Sequence, residues 1–293
     1  MGKVFGAIDV GTNSIRMLVA EMQDNQIIPR QYKLQTTRIG QGVGNSRYLL
    51  PTAIDRTIRV LQEYSAEMNQ IGVDGLRTVA TSAVREAENS SEFLNEADRI
   101  GLNVEVISGE AEAQLSFVGV TRGLTGVTDP TVLDIGGGST EFIWAEQGRL
   151  QVFSVPVGAV RLTENPLVSL GTQKLWLKVF EQLLTRKQTS LVGVGGTVTT
   201  LAAIEQRLAV YQPELVHGFI LQRQVVRRIL ECLSSLPLQE RQRVVGLQPE
   251  RADIIIAGST LLLEIMERMG KSEVIVSESD LLQGLIWSLA DSN

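Results

Sequence analysis

The chain writes one short device twice. Asp9-Val10-Gly11-Thr12-Asn13-Ser14 returns 125 residues later as Asp134-Ile135-Gly136-Gly137-Gly138-Ser139. Apolar runs flank both copies: residues 3–10 and 15–21 around the first, 131–135 and 140–146 around the second. Each copy therefore reads as a strand, a glycine turn and a second strand, that is, a hairpin. The register extends to Ala20 with Ala145 and Glu21 with Glu146. Similarity at domain spacing implies a duplicated building unit, so the expectation is two similar domains, each presenting one glycine turn.

Between and after the hairpins, helical and strand patterns alternate, which predicts an α/β class. Pro51 and Thr52 open a helix with Ile54, Ile58, Leu61 and Met68 on one face, closed by Gly72. Strands are predicted at 76–80 and 103–107, with a polar loop over 81–89 and a helix from Asn89 to Gly101 between them. Ser108-Gly109 caps a helix running to about Val120. The second half predicts a helix over 171–185, a strand over 190–194 and a helix from Gly195 to Arg207. Helices over 222–235, 239–247 and 249–269 follow, then a strand over 273–276 and a last helix over 281–290. The domains are placed at 1–125 and 126–293, with the terminal helix 281–293 expected to pack back near the first.

Composition removes several function classes. The 293 residues are 43% hydrophobic and 20% charged, an ordinary globular profile. Lys and Arg total 27 against 33 Asp and Glu, a net charge of −6 with no basic tail, so no nucleic-acid partner is expected. Any anion must be gripped locally, and most of the basic residues are arginine, the better fork for phosphate. The single cysteine, Cys232, and the single histidine, His217, exclude a disulfide framework and any cluster of His ligands. Cys232 is expected to be a buried small hydrophobe and His217 a structural residue. No apolar run has bilayer length, and the N-terminal residues carry no leader pattern. No membrane partner and a cytoplasmic location are expected, and a homodimer is left open.

The residues that could carry chemistry lie at strand ends. Asp9 and Asp134 adjoin glycine turns whose amides can form an anion nest, and a carboxylate beside such a nest suits a divalent cation shared with phosphate oxygens. The competing reading is a pair of plain Asp-Gly turns. Gly195-Gly196-Thr197 opens a helix after an apolar strand, a place suited to phosphate and equally to a simple strand-to-helix turn. Glu112, in the first turns of the helix after Ser108-Gly109, is either a base kept ionised by the helix N-terminus or an ordinary first-turn acid. Arg38 and Arg85, in polar loops, could reach phosphate or stay solvated.

Five segments occur in order: Asp9 to Met17, Ala80 to Asn89, Ile107 to Ala113, Asp134 to Glu141 and Gly193 to Thr200. Together they resemble the exopolyphosphatase / guanosine pentaphosphate phosphatase family in its short two-domain form, over nearly the whole chain. The resemblance implies two ribonuclease-H-like domains of the actin-like ATPase superfamily facing an inter-domain cleft. It implies Mg²⁺ or another divalent cation and hydrolysis of the terminal phosphate of inorganic polyphosphate, or of the 5′-phosphate of guanosine pentaphosphate. Position by position, Glu112 matches the catalytic glutamate. Asp9, Asp134 and Glu141 match the acidic residues around the metal. Gly11, Thr12, Asn13 and Ser14, with Gly137, Gly138 and Ser139, match the phosphate loops. Arg85 matches a substrate-contacting arginine, and Arg38 is added from its loop. Two departures stand out: Ala111-Glu112 where relatives often have a Glu pair, and Asp280-Leu281-Leu282 where they have Gly-Leu-Arg. A kinase of the same superfamily and a non-catalytic polyphosphate sensor are the competing classes.

Overall fold

A computed structural model describes residues 2–167, 172–183 and 189–292. The chain forms two compact units, one of Met1–Gly119 with Asp280–Asn293 and one of Val120–Ser279.

The first unit is built on β1 (Lys3–Val10), β2 (Ser14–Gln23), β3 (Gln26–Thr36), β4 (Gly75–Ala80) and β5 (Val104–Val106). They lie in the order β3-β2-β1-β4-β5. β1, β2 and β3 are an antiparallel meander, and β4 and β5 continue it in parallel to β1. The helices are α1 (Val43–Ser46), α2 (Pro51–Ile71), α3 (Ser82–Glu86), α4 (Ser90–Arg99) and α5 (Gly109–Gly123). β1 is apolar at nearly every position because both faces of the sheet are covered. Ile8, Val10, Ile15 and Met17 join Ile54, Leu61 and Met68 of α2 in one core. Phe5, Ala7, Leu18 and Ala20 form the other core with Leu281, Leu282, Leu285 and Ile286.

The second unit repeats the plan. β6 (Thr131–Ile135), β7 (Thr140–Glu146), β8 (Arg149–Val155), β9 (Leu191–Val194), β10 (Ile220–Gln222) and β11 (Glu273–Val276) lie in the order β10-β11-β9-β6-β7-β8. Again an antiparallel meander is continued by parallel strands, here β9 and β11, with β10 added antiparallel at the edge. Its helices are α6 (Ala159–Glu164), α7 (Gln173–Leu183), α8 (Gly196–Glu205), α9 (Pro213–Val216), α10 (Arg223–Ser235), α11 (Leu238–Arg241) and α12 (Ile255–Arg268). One large core includes Leu133, Phe142, Trp144, Leu201 and Leu262. The final helix, α13 (Leu281–Asp291), packs on β1, β2 and β4 of the first unit.

Two meanders that lead with the duplicated hairpin, each followed by parallel strands with crossover helices, are the ribonuclease-H-like plan implied by the resemblance. Local details differ from the sequence reading. Residues 81–89 contain helix α3 rather than a continuous loop. Of the helix expected over 239–247 only Leu238–Arg241 is helical, and Pro249–Arg251 is a separate 3₁₀ turn before α12. The third meander strands, β3 and β8, and edge strand β10 went unassigned. Cys232 is exposed on α10, not buried. The ends of the helix expected over 171–185 lie outside the described residues. Among the described residues, no helix is long and apolar enough to cross a membrane.

Candidate active site

In the first unit the carboxyl ends of β1, β4 and β5 bring three loops side by side. The Thr81 amide donates to Val10 O, and the Ile107 amide donates to Ala80 O, so each loop leaves the sheet beside the next. This edge of an open α/β sheet is where ligands commonly bind.

The hairpin turn closes with the Gly11 amide on Ser14 O at 3.1 Å, and its twin closes with the Gly136 amide on Ser139 O at 3.0 Å. In both units the chain returns from the third strand to cover the turn. The Arg38 amide donates to Asn13 O and the Gly40 amide to Thr12 O. In the second unit the Ala159 amide donates to Gly136 O and the Val160 amide to Gly137 O. These bonds consume the carbonyls and leave amides as the groups a turn can offer to an anion. Arg38 is held there at φ 51°, a left-handed conformation costly for a side-chain-bearing residue. Its backbone is thus part of the first glycine turn.

Asp9 and Arg16 are opposite residues on β1 and β2. Arg16 Nε and Nη2 both donate to Asp9 Oδ2, at 3.0 and 2.7 Å, while Arg16 Nη1 bonds Asp280. Asp9 Oδ1 is buried with no hydrogen-bond partner. Burial pushes the Asp9 carboxyl above its ordinary range, against the downward pull of Arg16 and with Asp280 adding to the rise.

The duplication puts Glu141 where the first unit has Arg16. Asp134 and Glu141 are opposite residues on β6 and β7, so both carboxylates share one face of the sheet. Glu141 accepts from Ser154 Oγ at 2.8 Å. Gly195 lies against Asp134: a Cβ there would stand 2.9 Å from Asp134 Oδ1, and its φ of 84° suits glycine alone. One hairpin thus pairs its aspartate with a cation, whereas the other pairs it with a second anion.

Glu112 and Arg85 meet in the first unit. Arg85 Nη1 donates to Glu112 Oε2 at 3.0 Å and to Ile107 O at 2.8 Å. The Ala111 amide donates to Ser108 Oγ, so Ser108 caps α5 and fixes Glu112 in its first turn. The polar loop expected around Arg85 is instead helix α3, which aims the guanidinium at α5.

The structure therefore brings Glu112 to Arg85, sets Arg38 on the Gly11–Ser14 turn, and sets Asp134 beside Glu141. Asp9 meets Arg16 rather than another acid. Among the described residues, no three His, Cys, Asp or Glu side chains cluster as metal ligands. Sequence reasoning assigned no role to Arg16, Asp280 or Arg251. The Arg251 guanidinium covers the Gly195-Gly196 turn, where a Cβ on Gly196 would collide with its Nη1. Arg16 had a legible signal: a charge inside the buried strand β2, at the duplicated position of Glu141. His217 is structural as expected; its Nδ1 accepts from the Glu278 amide, and its Nε2 lies 3.2 Å from Gly123 O.

The Ppx/GppA phosphatase family model matches residues 18–293. The chain belongs to the Ppx/GppA phosphatase family. It is 33% identical over 311 residues to exopolyphosphatase 2 of Mycobacterium tuberculosis, covering 97% of this chain and 98% of that protein. It is 34% identical to a bifunctional 3-dehydroquinate synthase/phosphatase of Fusobacterium nucleatum over 96% of this chain. It spans only 46% of that relative's length. Among solved structures, a Ppx/GppA family member from Aquifex aeolicus superposes with a TM-score of 0.78 at 32% identity, covering 99% of this chain and 98% of that one. An exopolyphosphatase from Cytophaga hutchinsonii, 23% identical, shares the fold with a TM-score of 0.89, covering 99% and 98%.

Proposed function

We propose that this phosphatase removes the terminal phosphate of inorganic polyphosphate, with Glu112 as general base. The observation that carries the reading is the Arg85–Glu112 pair at the capped start of α5. It sets a carboxylate, a phosphate-seeking guanidinium and a helix N-terminus together at the carboxyl edge of the sheet. Glu112 accepts a proton from water as the water oxygen attacks the terminal phosphorus in line. The bond to the bridging oxygen breaks, releasing orthophosphate and a chain one unit shorter. Arg85 holds Glu112 in place and offers its guanidinium to phosphate oxygens. The amides of the Gly11–Ser14 turn bind further oxygens, with Arg38 beside that turn, and Gly137–Ser139 offers the same kind of nest within the second unit. Phosphoryl transfer asks for such positioning and charge stabilisation more than for covalent chemistry.

The acidic residues fit a divalent cation. The unpartnered buried Oδ1 of Asp9 and the Asp134–Glu141 pair are hard oxygen donors. Mg²⁺ is usually held by one or two carboxylates completed by water and phosphate, so a cluster of three acids is not required. When bound, such a cation neutralises charge on the phosphate oxygens. Asp134 with Glu141 in the second unit, or Asp9 in the first, are the residues that would hold it.

Glu112→Gln tests the reading. General-base catalysis contributes about 10²–10⁴-fold, so kcat on polyphosphate should fall by that factor while KM holds or improves. Glu110→Gln, carrying the same change one residue beyond Gly109, should cost little. Loss with Glu110→Gln instead of Glu112→Gln would move the base to Glu110, and no loss in either variant would remove the hydrolase reading. Side-by-side turnover of guanosine pentaphosphate decides between the two phosphate donors.

A further inference from the structure

We infer that Asp280 is a positioning residue for phosphate hydrolysis: through Arg16 it fixes the aim of Asp9. This rests on the proposed polyphosphate hydrolysis and on a chain of contacts confined to the first unit. Asp280 caps α13 with a complete capping box, its Oδ1 accepting from the Leu282 amide and its own amide donating to Gln283 Oε1. That leaves Oδ2 to bond Arg16 Nη1. The opposite side of the same guanidinium, Nε and Nη2, bonds only Oδ2 of Asp9. Asp9 Oδ1 is the one oxygen of the two carboxylates left buried and unpartnered.

A capped helix end does not need a charged partner, since Ser or Asn would cap it as well. Asp280 therefore does more than capping. Its side chain is 5% exposed and that of Asp9 is 6% exposed, so two nearly buried carboxylates share one part-buried guanidinium. Without the Asp280 charge, Arg16 would answer to Asp9 alone and could turn to engage both of its oxygens. With it, the guanidinium is pinned from two sides and one Asp9 oxygen stays available. The Asp280 backbone is clamped in turn by α5, the helix that carries Glu112: a Cβ on Gly119 would stand 2.8 Å from the Asp280 carbonyl carbon. Asp280 thus ties the position of Asp9 to the helix bearing the base.

Asp280→Asn and Asp280→Ser keep the cap and remove the charge. In both, kcat on polyphosphate should fall about 10-fold or more, with KM within about two-fold and the unfolding midpoint nearly unchanged. In an Asp9→Asn background the same change should cost nothing further, because contacting residues in one chain of action are non-additive. The side-chain Nε–H resonance of Arg16, followed by NMR in the free protein, should shift and broaden in both variants. An unmoved Arg16 resonance overturns the inference whatever the substrate proves to be. So does wild-type kcat in either variant, or an equal loss in the Asp9→Asn background. If wild-type protein leaves polyphosphate intact while the resonance moves, the hydrolysis reading fails and the relay stands.

Discussion

Gly119→Ala adds a single methyl group where α5 passes the Asp280 backbone. The new Cβ would lie 2.8 Å from the Asp280 carbonyl carbon and nearer still to its oxygen. Ordinary contact begins near 3.4 Å, and the carbonyl oxygen is the closer clash, so the backbone must retreat by about 1 Å or more, in a core that resists expansion. Overpacking of this kind costs about 1–3 kcal/mol. The better helix propensity of alanine returns about 1 kcal/mol. Net stability should therefore drop by only about 0–2 kcal/mol, measured by urea unfolding. The effect on turnover should be larger. A misplacement near 1 Å can cost about 10²-fold in rate, so a shift of this size, carried through Asp280 and Arg16 to Asp9, should lower kcat by roughly 10- to 100-fold. Gly119→Ala with wild-type kcat would refute the reasoning, because α5 and Asp280 could then separate without disturbing Asp9.

Further outcomes are expected. Asp9 is held above its ordinary pKa by burial, so the folded protein binds that proton more tightly than the unfolded chain. Stability should fall as pH rises from about 4 through the raised titration, and Asp9→Asn should abolish this fall; urea unfolding at pH 4 and pH 8 measures it. Gly195→Ala should lose about 1–3 kcal/mol of stability from its disfavoured backbone conformation, and should lose turnover through Asp134; unchanged turnover would separate Gly195 from the site. Cys232 should react with a thiol reagent in the native protein as fast as in urea, because it is exposed.

The duplicated hairpin was legible because its signature is local: an apolar run, Asp-x-Gly, then a second run. Glu112 was legible through the Ser108 cap, which is also local. The third meander strands escaped for physical reasons. β3 mixes Pro29, Arg30 and Lys33 into a largely half-exposed strand, and a register shift between Val19 and Ala20 breaks the alternation of its partner. Cys232 was misjudged because helical spacing gives a period but does not say which face is covered. The pairing of Asp9 with Arg16 could have been read from the duplicated register itself, which sets Arg16, two residues beyond Ser14, against Glu141. Asp280 could not: its partner is 264 residues away in sequence, and no local pattern encodes that contact.

The first unit is discontinuous in the chain, and this bears on how the protein is made. Phe5, Ala7, Leu18 and Ala20 share a core with Leu281, Leu282, Leu285 and Ile286. A ribosome adds about 5–20 residues per second, so Arg16 waits roughly 13–50 seconds for Asp280. During that interval one face of the first sheet lacks its helix, while the whole of the second unit is synthesised. The nascent chain thus exposes an apolar sheet face until its last helix emerges, and that interval is when a chaperone would have most to cover.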